Sequence, residues 1–215
     1  MVHNKDIASL RKDYTLKTFD ESHLLADPLE QFKLWFKEAL ESEVAEPNAM
    51  TLATVQNNGK PSARVVLLKG IYNNGFLFYT NYNSNKGKEI QNNPYGALVF
   101  FWPELQRQVR IEGIMEKGNE KDADEYFHSR PLESQIGAYA SNQSEIIGSR
   151  KELDDKYASF KLRFEKEPII RPQHWGGYVL IPYAFEFWQG RASRLHDRFL
   201  FSMENQPWKI ERLSP

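Results

Sequence analysis

A mainly β chain with flanking helices is the fold class this sequence predicts, and three observations predict it. Between residues 50 and 117 short apolar runs follow one another, parted by Asn58-Gly59, Asn74-Gly75 and short polar turns. Asn-Gly is a strong hairpin signal because both residues tolerate positive φ. Helical patterns bracket this block, and strand-like runs return near the C-terminus. The order helix, five strands, helices, then three or four strands suits a β-barrel or a strongly coiled sheet decorated with helices.

Residues 1–20 are polar and aperiodic, and read as an N-terminal arm ahead of a single domain over 21–215. DPLEQFKLWFKEALES begins a helix. Asp27 can cap it, Pro28 suits its first position and Glu30 completes a capping-box-like pattern. Leu29, Phe32, Phe36, Ala39 and Leu40 fall on one helical face and should meet a core. MTLATVQNNGKPSARVVLLKGIYNNGFLFYTN holds three apolar runs, which predict an antiparallel meander. SNKGKEIQNNP predicts a short helix closed by Pro94; YGALVFFW and LQRQVRIEGIMEK predict strands joined at Pro103-Glu104. NEKDADEYFHSRPLESQIGAYAS and EIIGSRKELDDKYASFKLRFEK predict helices, the first broken by Pro131. PIIRPQHWGG reads as a loop, and GYVLIPYAFEFWQG, DRFLFSME and PWKIERL as strands.

Composition narrows the function. The 215 residues are enough to bury a core, and a net charge of −1 disfavours a nucleic-acid surface, which needs a concentrated cationic stripe. Without cysteine there is no thiol catalysis, disulfide or cysteine-ligated metal. No apolar signal core or membrane-length run is present, which leads to the expectation of a soluble cytoplasmic protein. The histidines have no metal-binding spacing, so no metal is expected. With neither a P-loop nor a dinucleotide fingerprint, any phosphate must be held by scattered arginines and lysines. Aromatic residues, at 13%, serve cores and interfaces and also stack on flat ligands.

Three constellations carry chemistry. In RVVLLK, Arg64 and Lys69 are five apart, so a regular strand sends them to opposite faces. They are either two solvated strand ends or two separate anion contacts. Tyr126, Arg130 and Ser134 are spaced by four, as on one helical face, although Pro131 interrupts it. Two hydroxyls and a guanidinium would suit a phosphate. In EFWQGRASRLHDR, an extended chain gives Glu186, Trp188, Arg194, His196 and Arg198 one parity, unless Gly190 breaks the register. Arg194, His196 and Arg198 would then repel one another unless an anion or carboxylate answers them. A solvated edge is the plain alternative.

RVVLLKG, FYTNYNSNKGKEI, FFWPELQRQVRIEG, YFHSRPLESQIGAYASNQS, HWGGY, EFWQGRASRLHDRF and WKIERLSP together resemble the pyridoxine/pyridoxamine 5′-phosphate oxidase family, from LRKDY to the C-terminus. The resemblance implies an FMN-binding split β-barrel, active as a homodimer with two sites at the subunit interface. It implies oxidation of pyridoxine or pyridoxamine 5′-phosphate to pyridoxal 5′-phosphate, with O2 consumed and hydrogen peroxide released. The FMN positions it implies are Arg64, Val65, Val66, Leu67, Leu68, Lys69, Tyr79, Thr80, Lys86, Gln108, Gln143, Ser144, Trp188 and Arg198, with Arg64 and Lys86 at the flavin phosphate. The substrate phosphate would meet Lys69, Tyr126, Arg130 and Ser134, and the pyridine would meet Arg194, Leu195 and His196. Arg194 and His196 are the implied catalytic pair, and Arg11 and Tyr14 would close over the site as a lid. Two positions depart from some members: Asn85 stands where they carry a basic residue, and Glu46 where they carry aspartate. Competing readings are another split-barrel flavin reductase or oxidoreductase, and a non-catalytic FMN- or pyridoxal-phosphate-binding protein.

Overall fold

Asp27 opens the first helix as its sequence predicts: its side chain accepts the Leu29 N–H at 2.7 Å, ahead of α1 (Pro28–Glu41). The computed structural model describes residues 9–10, 13–203 and 207–215. The buried stripe of α1 is Leu29, Phe32, Trp35 and Ala39. Leu40, expected on that face, is exposed, and Trp35 takes its place in the i, i+3, i+4 pattern. Glu30 bonds Lys33 at 2.6 Å in place of the expected box.

The strands are β1 (Ala49–Val55), β2 (Pro61–Leu67), β3 (Gly70–Tyr72), β4 (Gly75–Asn81), β5 (Tyr95–Trp102), β6 (Arg107–Lys117), β7 (Trp175–Gln189), β8 (Asp197–Ser202) and β9 (Lys209–Arg212). The helices that follow α1 are α2 (Asn85–Asn92), α3 (Glu120–Ser129), α4 (Leu132–Ala140) and α5 (Arg150–Phe164). Strands pair in the order β2-β1-β5-β6-β7-β4-β3, with β8 between β7 and β9. The fold is a mainly β split barrel with helices around it, as its sequence predicts. The meander is corrected. β1 and β2 form a hairpin, Ala49 opposite Leu67, but β3 lies at the other end of the order from β2. The Asn-Gly signals hold at both turns. Gly59 has φ 79°; in the second turn Asn73 and Asn74 carry the positive φ, and Gly75 already belongs to β4.

Two compact units divide the chain: a hairpin unit of residues 1–47, 99–111 and 183–215, and a barrel unit of residues 48–98 and 112–182. The barrel unit holds all or part of β1 to β7. Its curvature follows from reach. Seven flat strands would hold their outer members about 29 Å apart. The three Cα steps from Leu67 to Gly70 span about 11 Å at most. The sheet must therefore curl; in the turn that joins β2 to β3 the Lys69 N–H bonds the Leu77 carbonyl at 2.8 Å, extending the β3–β4 ladder. Met50, Leu52, Phe76, Phe78, Leu98 and Leu180 fill this unit's core.

The hairpin unit has an aromatic core. Phe19 packs on Trp35 with centroids 4.8 Å apart, Trp35 on Phe187 at 5.2 Å, Phe187 on Phe201 at 5.5 Å, and Phe32 on Phe100 at 5.0 Å. Much of the aromatic content thus serves packing. β7 and β8 form a hairpin in which Trp188 faces Arg198 and Gln189 faces Asp197.

Candidate active site

Within the barrel unit lies a cavity of about 750 Å³. β2 supplies Arg64, Val65, Val66 and Leu67 to its wall, and the turn after β2 supplies Lys69. The expectation that Arg64 and Lys69 face opposite ways is corrected, because β2 ends at Leu67 and the chain turns before Lys69. β4 contributes Tyr79 and Thr80, α2 contributes Lys86, and Gln143 follows α4. Tyr126, Arg130 and Ser134 also line it, but not from one helix: α3 ends at Ser129, Arg130 caps it, and Pro131 precedes α4. Leu68 is buried and Ser144, at φ 75°, is exposed; neither is in the lining.

The described lining holds four cations, Arg64, Lys69, Lys86 and Arg130, and no carboxylate. Arg64 is held from within the unit. Its Nη1 donates to the Leu52 carbonyl at 3.4 Å and to the Thr54 hydroxyl. Its Nη2 donates to Ser62 at 2.6 Å and to Glu89 at 3.0 Å. Thr54 in turn donates to Glu89 at 2.5 Å. The Lys86 ammonium donates to neutral oxygens of Thr80 (3.2 Å), Gln143 (3.2 Å) and Ser84 (3.4 Å). Burial, and then the nearby Arg64 charge, lowers its pKa against the pull of Glu89. Arg130 donates through Nη2 to the Ser134 carbonyl at 3.0 Å, while its buried Nη1 has no partner among the described residues. Burial lowers its pKa as well.

Three parallel rings form part of the wall. Tyr79 stacks on Tyr126 at 4.3 Å and on Trp175 at 5.1 Å, and the Arg130 guanidinium lies 4.8 Å from the Trp175 centroid. Burial first, then Asp122 and Tyr126, pushes the Tyr79 phenol up to about 12, so it stays protonated. Trp175 is absent from the residues the sequence points to because HWGG reads as a loop, whereas β7 starts at Trp175. Glu89, the partner of Arg64 and Thr54, is absent from them too. Its spacing of three from Lys86 on a helix is the only signal that could have flagged it.

The hairpin unit carries a second pocket, lined in part by Tyr14, Arg191, Arg194 and His196. The chain is not extended here as the parity argument requires. A short turn of helix spans Ala192–Arg194, and Ser193 (φ 56°) and Arg194 (φ 62°) are left-handed. Arg194 and His196 still share the pocket, whereas Leu195 is exposed and outside its lining. Tyr14 packs edge-on against Trp188 at 5.7 Å and against His196 at 5.8 Å. A Cβ on Gly190 would meet Tyr14 at 2.7 Å, so this close seat needs glycine. Arg198 is bound to buried Glu186 at 2.8 Å and to the Ser214 carbonyl at 2.8 Å. Gln108 is half-buried on β6. Arg11 lies outside the described residues.

Comparison with known proteins decides the family. The signature described as pyridoxamine 5′-phosphate oxidase matches residues 36–164, and that of the pyridoxine 5′-phosphate oxidase C-terminal dimerisation region matches residues 175–215. The pyridoxine/pyridoxamine 5′-phosphate oxidase of Nostoc punctiforme is 55% identical over 99% of this chain and all of that one. The chain belongs to the pyridoxine/pyridoxamine 5′-phosphate oxidase family. The relative of that name from Paraburkholderia xenovorans is 53% identical over 97% of this chain and 99% of its own length. Among solved structures, PhzG from Burkholderia lata 383, in complex with tetrahydrophenazine-1-carboxylic acid, superposes with a TM-score of 0.84. It is 28% identical and covers 90% of this chain and 95% of its own. A pyridoxamine 5′-phosphate oxidase-related, FMN-binding protein from Nostoc punctiforme shares the fold, with TM-score 0.69 and 18% identity over 89% of this chain and 100% of that one. The family is one of flavin-dependent oxidoreductases. Among the described residues no helix is long and apolar enough to cross a membrane.

Proposed function

We propose that this chain uses FMN to oxidise pyridoxine 5′-phosphate or pyridoxamine 5′-phosphate to pyridoxal 5′-phosphate in the cytoplasm, with O2 reduced to hydrogen peroxide. The observation that carries this reading is the cavity with four cations and no described carboxylate in its lining. Its donors fit two phosphates. Lys86 reaches only neutral oxygens, and Arg130 keeps a buried, unpartnered N–H. A half-buried cation without a counter-charge still carries a desolvation cost, and a bound phosphate would answer it.

In this reading Arg64 and Lys86 hold the flavin phosphate, with Val65, Val66, Leu67, Leu68, Tyr79, Thr80, Gln108, Gln143, Ser144, Trp188 and Arg198 as further flavin contacts. Lys69, Tyr126, Arg130 and Ser134 hold the substrate phosphate. When bound, the flavin supplies the hydride acceptor and the reaction with O2. The chain's own work is orientation: anchoring each ligand by its phosphate fixes two planar rings against each other. Arg194 lays a planar, hydrogen-bonding cation on the substrate ring, and His196 bonds its substituents. Arg11 and Tyr14, in an arm of residues 1–20, close over the site. The matched dimerisation region supports a homodimer; in this reading its two sites lie at the subunit interface.

The test is to load the purified protein with FMN, add pyridoxine 5′-phosphate under air, and follow pyridoxal phosphate absorbance and peroxide. Both should form, and unphosphorylated pyridoxine should be a far poorer substrate. Flavin reduction without pyridoxal phosphate would favour another flavin oxidoreductase. Binding with neither product would favour a carrier. The likeness to PhzG makes a tetrahydrophenazine carboxylate the alternative substrate to try beside it.

A further inference from the structure

A neutral imidazole carries one ring proton, and the nitrogen that accepts a hydrogen bond is the one without it. At His196 the main chain makes that choice: the Arg191 N–H donates to Nδ1 at 3.1 Å. The donor is held in a fixed frame. The adjacent Gly190 N–H bonds the Gln106 carbonyl at 2.8 Å, and the Arg191 guanidinium bonds Asp197 at 2.8 Å. Asp197 is itself buried and also accepts from the Phe19 N–H at 3.1 Å and from Arg212 at 2.9 Å. Trp188, 4.6 Å away, and Tyr14, 5.8 Å away, wall the imidazole on its other sides. The charged groups that bear on it are Arg194, Arg198 and Asp197, and Asp13 lines the same pocket. Burial first, then the two arginines, holds the ring below its usual pKa against the pull of Asp197.

We infer that the Arg191 main chain locks His196 as the Nε2–H tautomer, so that His196 offers its ligand a hydrogen-bond donor and not a proton-accepting nitrogen. The atom it recognises is then an acceptor, such as an oxygen substituent on an aromatic ring. Arg194 lines the same pocket and adds a second donor and a positive charge, so the pair suits an anionic or electron-rich oxygen. Arg191, with Asp197 behind it, is a positioning residue that acts through His196. The tautomer stands on the hairpin's own geometry; the identity of the ligand atom rests on the oxidase reading.

Long-range ¹H–¹⁵N correlation spectra of FMN-loaded, histidine-labelled protein read the tautomer directly, with His196 assigned by the signals lost in His196→Gln. At neutral pH Nε2 should be protonated and Nδ1 bare; a protonated Nδ1 overturns the inference. Kinetics test the donor. A glutamine amide can reach the Nε2 position and an asparagine amide the Nδ1 position. His196→Gln should keep kcat/KM for pyridoxine 5′-phosphate within about 10-fold, while His196→Asn should lose about 100-fold, the scale of one charge-assisted hydrogen bond. Equal losses, or better rescue by asparagine, overturn the donor role. A wild-type protein that fails to oxidise pyridoxine 5′-phosphate overturns the oxidase reading instead, and the spectra still decide the tautomer.

Discussion

The barrel cavity and the hairpin pocket both gather arginines, but they hold them differently. In the cavity, Arg64 has both terminal nitrogens engaged by groups on β1, β2 and α2, and Lys86 touches three oxygens. In the pocket, the Arg194 side chain makes no hydrogen bond or ion pair among the described residues, and the residue sits in left-handed backbone beside a second such residue. The first arrangement is preorganised, with donors fixed before any ligand arrives. The second stores backbone strain on a tight turn and leaves its guanidinium unattached. The contrast suits a division of labour: a ligand kept through many turnovers wants the rigid cradle, and one exchanged at every turnover wants the adjustable tip.

Breaking the tip should have the largest effect. Arg194→Ala should cut kcat/KM by about 100-fold, the scale of losing one charge-assisted hydrogen bond, while the flavin absorbance after dialysis stays at wild-type occupancy. Wild-type kinetics would remove Arg194 from the site. Breaking the cradle should do the converse. Arg64→Met should weaken FMN about 10- to 100-fold, as for one charge-assisted contact, yet leave kcat near normal once FMN is saturating. An Arg64→Met protein that stays yellow through dialysis would deny the contrast.

A smaller change sharpens it. Gly190→Ala sets a methyl where Tyr14 now packs, so the arm must shift. KM for substrate should rise several-fold, roughly the price of one perturbed aromatic contact, with FMN affinity unmoved. The smallest effect expected is on pH dependence. Burial alone would raise the Asp197 pKa, but the bonds from Phe19, Arg212 and Arg191 outweigh it and hold it below the usual value. A carboxyl with a lower pKa in the folded state adds stability above its unfolded pKa, and that stability is lost as pH falls through the folded value. Melting temperature measured from pH 7 downward should therefore fall less steeply in Asp197→Asn than in wild type. Parallel curves would relieve Asp197 of that role.

Much of this was legible in the chain itself, and the exceptions have physical causes. Asp27-Pro28 and both Asn turns announce themselves because capping and positive φ are local properties. The strand order is not local: nothing in RVVLLKG says that β3 pairs with β4 rather than continuing a meander from β2. The same limit hid the shared cavity of Arg64 and Lys69, since two-residue periodicity says nothing past the end of a strand. In EFWQGRASRLHDR the two-residue parity ends at Gly190, where the strand gives way to a turn, yet Arg194 and His196 meet all the same. Glu89 stayed hidden because a buried acid on a polar helix looks like any solvated one.

The closing of the barrel has a consequence for how the chain is made. Phe76 of β4 pairs with Leu180 of β7, about a hundred residues later in synthesis. Until β7 emerges from the ribosome, that edge of β4 has no partner, and an unpaired strand edge is a template for association with other chains. Such long-range pairing also slows folding. Expression yield in this fold should therefore respond to the rate of translation through the three helices between β6 and β7, the same stretch that brings Tyr126, Arg130, Ser134 and Gln143 to the cavity wall.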